Sequence, residues 1–580
     1  MSTTDRDFTP TWSESAPPAG SYRALFKWGD PQAFKHPNHR LVRLMMQIFE
    51  LDQTDLAHRR DEGLEQVPDT APVRLAQRHI SALTDMVGAE NLRTDTFTRV
   101  RVSYGKGMID ALRLRCHQLE NLPDLVLAPC SCQDVQAVVN YCHRHRIPLY
   151  VYGGGSTVTR GMEAVKGGVT LDMSVHMRRV VAFNEADQTI TVEAGMSGPQ
   201  LEALLNQAPE QLGAVRRYTC GHFPQSFEYS SVGGWVVTRG AGQNSTYYGK
   251  IEDIVIAQEL VTPRGILRTM PQPRCAAGPD YDQILIGSEG SFGVLTQVTL
   301  RVSRWMPQNT RRFSYMFRSW EQALAAVREV MQAEVGFPSV FRLSDPEETD
   351  VAMKMYGIEG SPADTLLKAF GYQPMQKCLL LGSTDGERSF SRRLDAAIRR
   401  VCRRNGAFDL SLFPITARWE KDRFRDPYLR DDMGDFGIIT DTLECGVTWS
   451  QLEAVHAAVR RVVKSRPKTV CMTHCSHMYP QGTNLYFIFI SPMASIDDYL
   501  GFQYRILDAI QQSGAAMSHH HGMGKQTAPW LEESIGTPAM DVLRALKAHF
   551  DPRNILNPGG TLGLDMTREQ REKCWGKTQR

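Results

Sequence analysis

Ile147-Pro148-Leu149-Tyr150-Val151-Tyr152-Gly153-Gly154-Gly155-Ser156-Thr157 is the stretch on which the reading of this chain turns. Its first half is a β-prone apolar run, and three glycines end that run in a loop whose backbone N–H groups no side chain shields. Such a loop suits a tight strand-to-helix turn and equally suits a cradle for phosphate. Val158 stands where GxGxxG needs its last glycine, and no GxxxxGK[ST] occurs, which disfavours a Rossmann fingerprint and a P-loop. Upstream, Leu122-Pro123-Asp124-Leu125-Val126-Leu127-Ala128-Pro129 gives a second short strand. Ser131 then caps a helix with Val135, Val138, Val139 and Cys142 on one face. Strand, helix, strand and glycine loop make an α/β unit.

Working outward, 169–172 and 189–194 read as strands, 200–205 as a helix started by Pro199, and glycine-rich turns recur at 233–242 and 287–293. Beyond residue 305 the texture changes to longer amphipathic helices (321–331 and 392–404) set among strands such as 484–490. This predicts a second, substrate-side domain. Toward the N-terminus, Leu41, Leu44, Met45, Ile48 and Phe49 mark one helical face, read as core-facing in preference to membrane-lying. The expected division is 1–120 as a helical extension, 121–304, 305–525, and a C-terminal segment 526–580 that returns to the 121–304 domain. The 580 residues leave room for up to about four units on domain-size grounds. With 42% hydrophobic residues and no apolar run of about 18, an integral membrane protein is excluded. A net charge of +2 gives no whole-chain reason to bind nucleic acid. The 12 cysteines are scattered without a CxxC spacing, and the polar start MSTTDRDFTP lacks a signal-peptide core, so a reducing, cytoplasmic setting is expected.

Four loops at matched spacings resemble the flavin domain of the vanillyl-alcohol-oxidase (PCMH-type) superfamily. They are Pro129-Cys130-Ser131-Cys132 with the first glycine loop, Ser231-Val232-Gly233-Gly234, Gly287-Ser288-Glu289-Gly290-Ser291-Phe292-Gly293, and Phe550-Asp551-Pro552-Arg553-Asn554-Ile555-Leu556-Asn557-Pro558-Gly559. The resemblance implies an α+β fold: a two-subdomain PCMH-type FAD-binding domain plus an α/β cap with an antiparallel sheet. It implies FAD held by Tyr152, Gly153, Gly154, Gly155, Ser156 and Thr157, with the pyrophosphate on the glycines. Gln225, Ser226, Phe227, Glu228, Tyr229, Ser230 and Ser231, then Thr238, Arg239, Gly240 and Ala241, and finally Glu289, Gly290, Ser291, Phe292, Gly293, Val294 and Leu295 complete the implied set. No histidine lies in or beside 151–161, so the FAD is expected to be non-covalent, with Cys220 the thiol that keeps a tether open.

Hydroxy-acid dehydrogenases of the superfamily hold a divalent metal through GHxGDGNxH and EHGxG. Here Tyr479 and Tyr486 stand at the two histidine positions and His520 at the glutamate, so no metal is expected. What replaces that pattern is similar to the alkyldihydroxyacetonephosphate synthase family. The likeness is carried by Cys220-Gly221-His222-Phe223-Pro224-Gln225-Ser226-Phe227-Glu228-Tyr229-Ser230-Ser231-Val232-Gly233-Gly234-Trp235, by Tyr248-Gly249-Lys250-Ile251-Glu252-Asp253 and by Ser518-His519-His520-His521-Gly522. It runs from about residue 100 to 560. That family exchanges the acyl group of acyl-dihydroxyacetone phosphate for a long-chain fatty alcohol with no net redox change, FAD serving as an anchor. The likeness implies that Tyr486 moves the C1 proton, that Arg430 and His222 bind substrate, and that His519, His520 and His521 close the polar end of the pocket.

Taken without the family, these residues allow other readings. Tyr486 lies in an apolar strand and suits a core aromatic. Arg430 precedes Asp431, Asp432 and Asp435 and suits an exposed ion pair. Successive histidines on an extended backbone point at most two the same way. A tyrosine base also needs a cation nearby, Arg430 or an imidazolium, to bring its pKa down from about 10. A conventional FAD oxidase or dehydrogenase of an alcohol or 2-hydroxy acid, and a flavin-binding scaffold without turnover, are the competing functions. Arg40-Leu41 and Gln47-Ile48 fall short of the family's peroxisomal signal, and lipid substrates would bring the protein to a membrane face as a peripheral, homodimer-compatible enzyme.

Overall fold

The computed structural model describes residues 8–575. Leu125–Leu127, Val169–Asp172 and Leu149–Tyr152 pair in parallel in that order, and Leu92–Arg93 joins antiparallel beside the first. A parallel sheet must be covered on both faces, which is why its three parallel strands are buried almost throughout. Helix Cys132–His145 packs on it, begun by Ser131, whose hydroxyl accepts the Asp134 N–H, and ended by Arg146 in the left-handed region. The chain's last part returns here. The Leu149 N–H donates to Ile555 and the Asn557 N–H to Leu149, which covers the sheet's open edge.

A second sheet, all antiparallel, runs Val180–Asn184, Thr189–Glu193, Val294–Arg301, Val255–Thr262, Gly265–Arg268. Helix Gly198–Asn206 lies beside it, started by a capping box of Ser197 and Gln200 with Pro199 in the first turn.

The cap is built on a seven-stranded antiparallel sheet in the order Phe408–Asp409, Arg311–Phe317, Cys378–Thr384, Val340–Ser344, Val470–Ser476, Gly482–Pro492, Ile438–Thr448. Both faces are largely apolar, for different reasons. Leu343, Leu380, Cys471, Cys475, Leu485, Phe487 and Phe489 point into a core filled by helices Trp320–Gln332, Arg388–Arg404, Leu452–Lys464 and Ile496–Gln512. Their alternates Arg342, Leu379, Leu381, Met472, His474, Tyr486, Ile488 and Ile490 face a cavity. Helix His39–Phe49 forms as the spacing predicts. Its face is buried against Met433, Phe436, Ile438 and Val470 of the cap, yet Leu41, Leu44, Met45, Ile48 and Phe49 also form cavity wall. No helix among the described residues is long and apolar enough to cross a membrane.

Candidate active site

A single cavity of about 870 Å³ lies between the glycine loops and the cap sheet. Tyr152, Gly153, Gly154, Gly155, Ser156, Thr157, Gln225, Ser226, Ser231, Thr238, Gly240, Ala241, Glu289, Gly290, Gly293 and Leu295 line it, so segments far apart in the chain converge on one wall. The wall is mostly bare backbone. A Cβ on Gly290 would meet nothing within 4 Å, and Ser231 caps the helix Val232–Val237 by accepting the Gly234 N–H. Exposed peptide groups and a capped helix start fit the pyrophosphate of FAD, which residues 153–157 and 231–234 would hold.

The rest of the expected cofactor set lies elsewhere, for local reasons. Phe227 stacks on Phe424, Glu228 accepts from Arg425 and Tyr428, and Tyr229 is half-buried, edge-on to Trp28. Ser230 accepts the Trp235 indole N–H, while Arg239 turns out to Gln283. Ser291 and Val294 are buried away from the cavity, as is Phe292, which stacks on Phe550. Cys220 is buried off the cavity wall, and burial holds its thiol well above the ordinary pKa.

Gly153 and Gly154 explain how tightly the first loop is seated. A Cβ on Gly154 would stand 2.2 Å from the Tyr229 carbonyl oxygen and 2.7 Å from the Ser230 Cα, both backbone atoms that cannot swing aside. Gly154→Ala is therefore expected to displace the loop and lose flavin. The check is the flavin absorbance per protein after purification. Full yellow colour in that variant would show that the loop tolerates the shift.

Tyr486 sits at the cavity's polar end. Its hydroxyl donates to Thr442 Oγ1 at 3.1 Å, and its ring stacks on His474, lies parallel to His520 and meets His521 edge-on. Strand alternation sends Leu485 and Phe487 to the core and Tyr486 to the cavity, so it is not a core aromatic. Burial pushes its pKa up to about 12, Thr442 and Arg342 working against that and Glu444 and Asp441 with it. Arg342 is the cation that works to lower it, and burial outweighs it, so the phenol is raised and not depressed.

Two of the three successive histidines, His520 and His521, line the cavity. His519 turns behind them, with Nε2 2.8 Å from the Tyr479 hydroxyl and Nδ1 3.1 Å from His520 Nδ1. His222 is fully buried beside Trp235, with neither ring nitrogen hydrogen-bonded, and does not reach the cavity wall. His477, by contrast, lines the cavity and bonds Ser245 at 2.6 Å. Cys475 faces the cap core, so His474, Cys475 and His477 do not converge.

Arg430 is 8% exposed and lies on the cavity wall. Its Nη1 donates to the Lys106 carbonyl at 2.6 Å and its guanidinium lies over Trp28, while buried Nε and Nη2 have no hydrogen-bond partner. The acids after it serve several groups. Asp431 accepts the Trp28 N–H with one oxygen and sets the other 3.7 Å from Arg430 Nε, Asp432 pairs with His36, and Asp435 pairs with Arg23 and Arg115. The ion pair that the sequence allowed is therefore made with Asp431, but it is buried instead of exposed. The acidic run fastens the N-terminal segment, and a buried cation with unused donors is left facing the cavity.

The histidine loop is held by two carboxylates, Glu444, which the sequence reading missed, and Glu289, which it assigned to the cofactor. Glu444, its side chain fully buried, stands opposite Tyr486 in the sheet register. Its Oε1 accepts from Ser518 Oγ at 2.6 Å and from the N–H groups of His519, His520 and His521 at 3.1 Å, and its Oε2 accepts from His519 at 2.8 Å. Farther along the loop, Glu289 accepts the Met523 N–H at 2.6 Å and the Gly524 N–H at 2.8 Å. Cap and glycine-loop domain thus grip one loop from both ends. Glu444, His519 and His520 have ligand atoms within 4.8 Å of one another, and the carboxylate is already engaged by the loop, Oε1 accepting four donors and Oε2 one. Nearby, Lys525 donates to Asn557 and Thr561 at 2.8 Å, and Asn557 donates to the Glu289 carbonyl, which ties the C-terminal segment to the same place.

The clustered imidazoles have a consequence for acid stability. Burial lowers the pKa of His222, His474, His477, His519, His520 and His521; Lys250 lowers His222 further, and Lys250 with neighbouring imidazoles lowers His477, His519 and His520 further. They stay neutral in the folded chain but take up protons once unfolded, below about pH 6.5. The unfolded state then binds more protons, so stability falls as pH drops through that range. Glu202, raised to about 7, and Asp110 and Asp432, raised to about 6, act in the opposite sense, as do the smaller upward shifts of Asp282, Glu289, Asp395 and Asp441, and offset part of the effect. The melting temperature is expected to be lower at about pH 5.5 than at about pH 7.5. Calorimetry showing no fall would mean that the imidazoles are already charged in the folded protein.

Comparison with known proteins agrees with this architecture. Residues 123–270 match the FAD binding domain family and residues 306–561 the FAD linked oxidases, C-terminal domain, family. Alkyldihydroxyacetonephosphate synthase of Dictyostelium discoideum is 29% identical over 491 residues, covering 81% of this chain and 78% of its own. An uncharacterized FAD-linked oxidoreductase of Escherichia coli (strain K12) is 29% identical over 505 residues, covering 83% of this chain and 97% of its own. A solved structure of alkyldihydroxyacetonephosphate synthase superimposes with a TM-score of 0.75 at 25% identity, covering 93% of this chain and 99% of that one. The two matched stretches together span well over half of the sequence, and the chain belongs to the FAD-dependent enzymes of the vanillyl-alcohol-oxidase/PCMH superfamily, with the alkyldihydroxyacetonephosphate synthases among the members it resembles.

Proposed function

We propose that the protein exchanges the acyl group of acyl-dihydroxyacetone phosphate for a long-chain alcohol, releasing the fatty acid and forming alkyl-dihydroxyacetone phosphate. The observation that carries this reading is the cavity's division into a compact polar end and an extended apolar arm. The polar end holds Tyr486, His520, His521 and Arg430 beside the glycine loops. The arm is walled by Leu41, Leu44 and Phe49 on one side and by Met316, Leu381 and Leu410 on another. The cavity's 870 Å³ also has to take the FAD that the glycine loops would hold, so it is the apolar lining of the arm, not the total volume, that suits a long chain better than a short hydroxy acid.

In this reading Arg430 takes the phosphate with the donors it leaves unpaired, forming charge-assisted bonds of roughly 1.5–3 kcal/mol each. The neutral imidazoles of His520 and His521 accept the proton that the alcohol gives up, and that proton leaves with the fatty acid. Tyr486 handles the proton at C1. The arm keeps water from the reacting carbon. Bound FAD supplies an electron-accepting ring, and the exchange returns it unchanged in redox state.

The test is to incubate the flavoprotein with acyl-dihydroxyacetone phosphate and labelled hexadecanol, and in parallel with 2-hydroxy acids and a redox dye. Labelled alkyl product supports the exchange. Dye reduction without alkyl product overturns it in favour of a conventional dehydrogenase.

A further inference from the structure

We infer that His474 is a further catalytic residue, whose Nε2–H holds the carbonyl oxygen of the acyl ester and then the departing fatty carboxylate. This rests on the exchange reading in one respect, that the group lost is a carboxylate. In the sheet register His474 stands beside Tyr486 on one side, as Glu444 does on the other. Along the same two strands the next pairs on the cavity face are Met472 with Ile488 and Val470 with Ile490. Val470, Met472 and Ile490 pack with Leu41, Leu44 and Phe49, the wall of the apolar arm. His474 therefore marks the boundary at which the polar end gives way to the arm. An acyl ester with its head at Tyr486 and its chain in the arm sets its carbonyl at that boundary.

The neighbours of the ring fix where its proton sits. His474 is 7% exposed, and its Nδ1 lies 3.1 Å from Arg342 Nη2. A guanidinium only donates, so Nδ1 accepts that bond. Glu348 stands 3.3 Å from the same nitrogen and itself accepts a closer bond from Arg342, which thus bridges carboxylate and imidazole. Burial and Arg342 lower the His474 pKa against the pull of Glu348, which keeps the ring neutral. Burial alone would raise Glu348, but Arg342 and His474 bring it down to about 2, so carboxylate and guanidinium balance one another. A neutral imidazole that accepts at Nδ1 carries its proton on Nε2. Among the described residues no hydrogen bond reaches Nε2, while the ring lines the cavity and stacks on Tyr486 at 4.9 Å. When the ester's C1–O bond breaks, its electron pair leaves on the carboxylate, and the Nε2–H hydrogen-bonds that charge without giving up its proton. The alcohol oxygen supplies the pair for the new C1–O bond, so nothing is oxidised or reduced over the exchange.

The experiment compares two isotope exchanges by the holoprotein. One puts labelled palmitate into palmitoyl-dihydroxyacetone phosphate, and the other puts labelled hexadecanol into hexadecyl-dihydroxyacetone phosphate, where no carboxylate takes part. His474→Phe keeps a ring beside Tyr486 without a donor, and should lower the first rate relative to the second by about 100-fold, the worth of a donor placed where charge develops. His474→Gln extends an amide N–H and should recover about tenfold of that loss, the least a hydrogen bond to a charged group is worth. Where the Phe variant does not hold flavin, His474→Asn, whose shorter amide stops at the Nδ1 position, takes its place. Palmitate binding to the holoprotein, read by equilibrium dialysis, should weaken in the order parent, Gln, Phe. A rate ratio in the Phe variant within threefold of the parent overturns the proposal. So does a Gln variant as slow as the Phe variant, which would make His474 a base, since an amide cannot take the proton. Palmitate binding in the expected order without any exchange by the parent refutes the function alone, and exchange by the parent with equal palmitate binding in all variants refutes the role of His474 alone.

Discussion

Tyr486→Phe is expected to lower acyl-for-alkyl exchange by about 10²–10⁴-fold, the usual worth of a positioned acid or base, while flavin content and melting temperature hold. The substitution removes one oxygen. Ring stacking on His474 survives, and Thr442 loses a single hydrogen bond worth about 1 kcal/mol. The structure also constrains how the phenol works. With its pKa pushed up to about 12, Tyr486 enters the cycle protonated, and the neutral imidazoles of His520 and His521 are the bases at hand. The phenol can take a proton only after it has given one, so exchange should stay nearly flat between about pH 7 and 9 instead of rising with phenolate. Labelled hexadecanol incorporation measured across that range checks both statements. Exchange by the Phe variant within threefold of the parent would reduce Tyr486 to a piece of cavity wall.

What could be read in the chain beforehand follows from how local each signal is. Leu149–Tyr152 with its glycine loop announced itself because strand, turn and close backbone approach are all written within a dozen residues. The apolar run around Tyr486 was legible as a strand, but the direction of the phenol was not, because both faces of the cap sheet are apolar and alternation gives no contrast. Arg430 looked like one half of an exposed ion pair because its true surroundings, Trp28 and Lys106, lie more than 300 residues away in the chain. His222 belongs to a motif that touches the site, yet the turn at Gly221 packs its ring behind Trp235. Not every residue of the implied cofactor set reaches the cavity wall. In Gln225–Ser231 a contiguous motif was read as a contiguous contact, whereas the loop presents only its two ends to the cavity. The role of helix His39–Phe49 as cavity wall had no sequence signal beyond its amphipathic face, which suits a core as well as a lipid chain.

Glu444 is the residue whose loss should separate positioning from packing. It lies 75 positions before His519, and an isolated glutamate in a strand of mixed character carries no motif. Replacing it with alanine would leave three backbone N–H groups and the Ser518 hydroxyl without their acceptor, at roughly 1–3 kcal/mol for each that stays buried and dry. The fold is then expected to suffer, so Glu444→Gln is the sharper test. The amide keeps one carbonyl oxygen but sets an NH₂ among donors, so the loop should relax at its histidine end while Glu289 still holds Met523 and Gly524. FAD content and KM for the phosphorylated substrate should therefore change little, and kcat should fall by about 100-fold, the order expected when a reacting group is misplaced by an ångström. A second readout is electrostatic. The Glu444 charge raises the His521 pKa against the lowering by burial, so neutralising it should move the acid limb of the pH–rate profile to lower pH. A carboxylate that merely filled space would change melting temperature without shifting that limb. An unshifted profile with kcat intact would show that the backbone, not Glu444, sets the imidazoles, whereas a shifted limb with a depressed kcat would make this buried charge the link through which the cap sheet places His520 and His521 beside Tyr486.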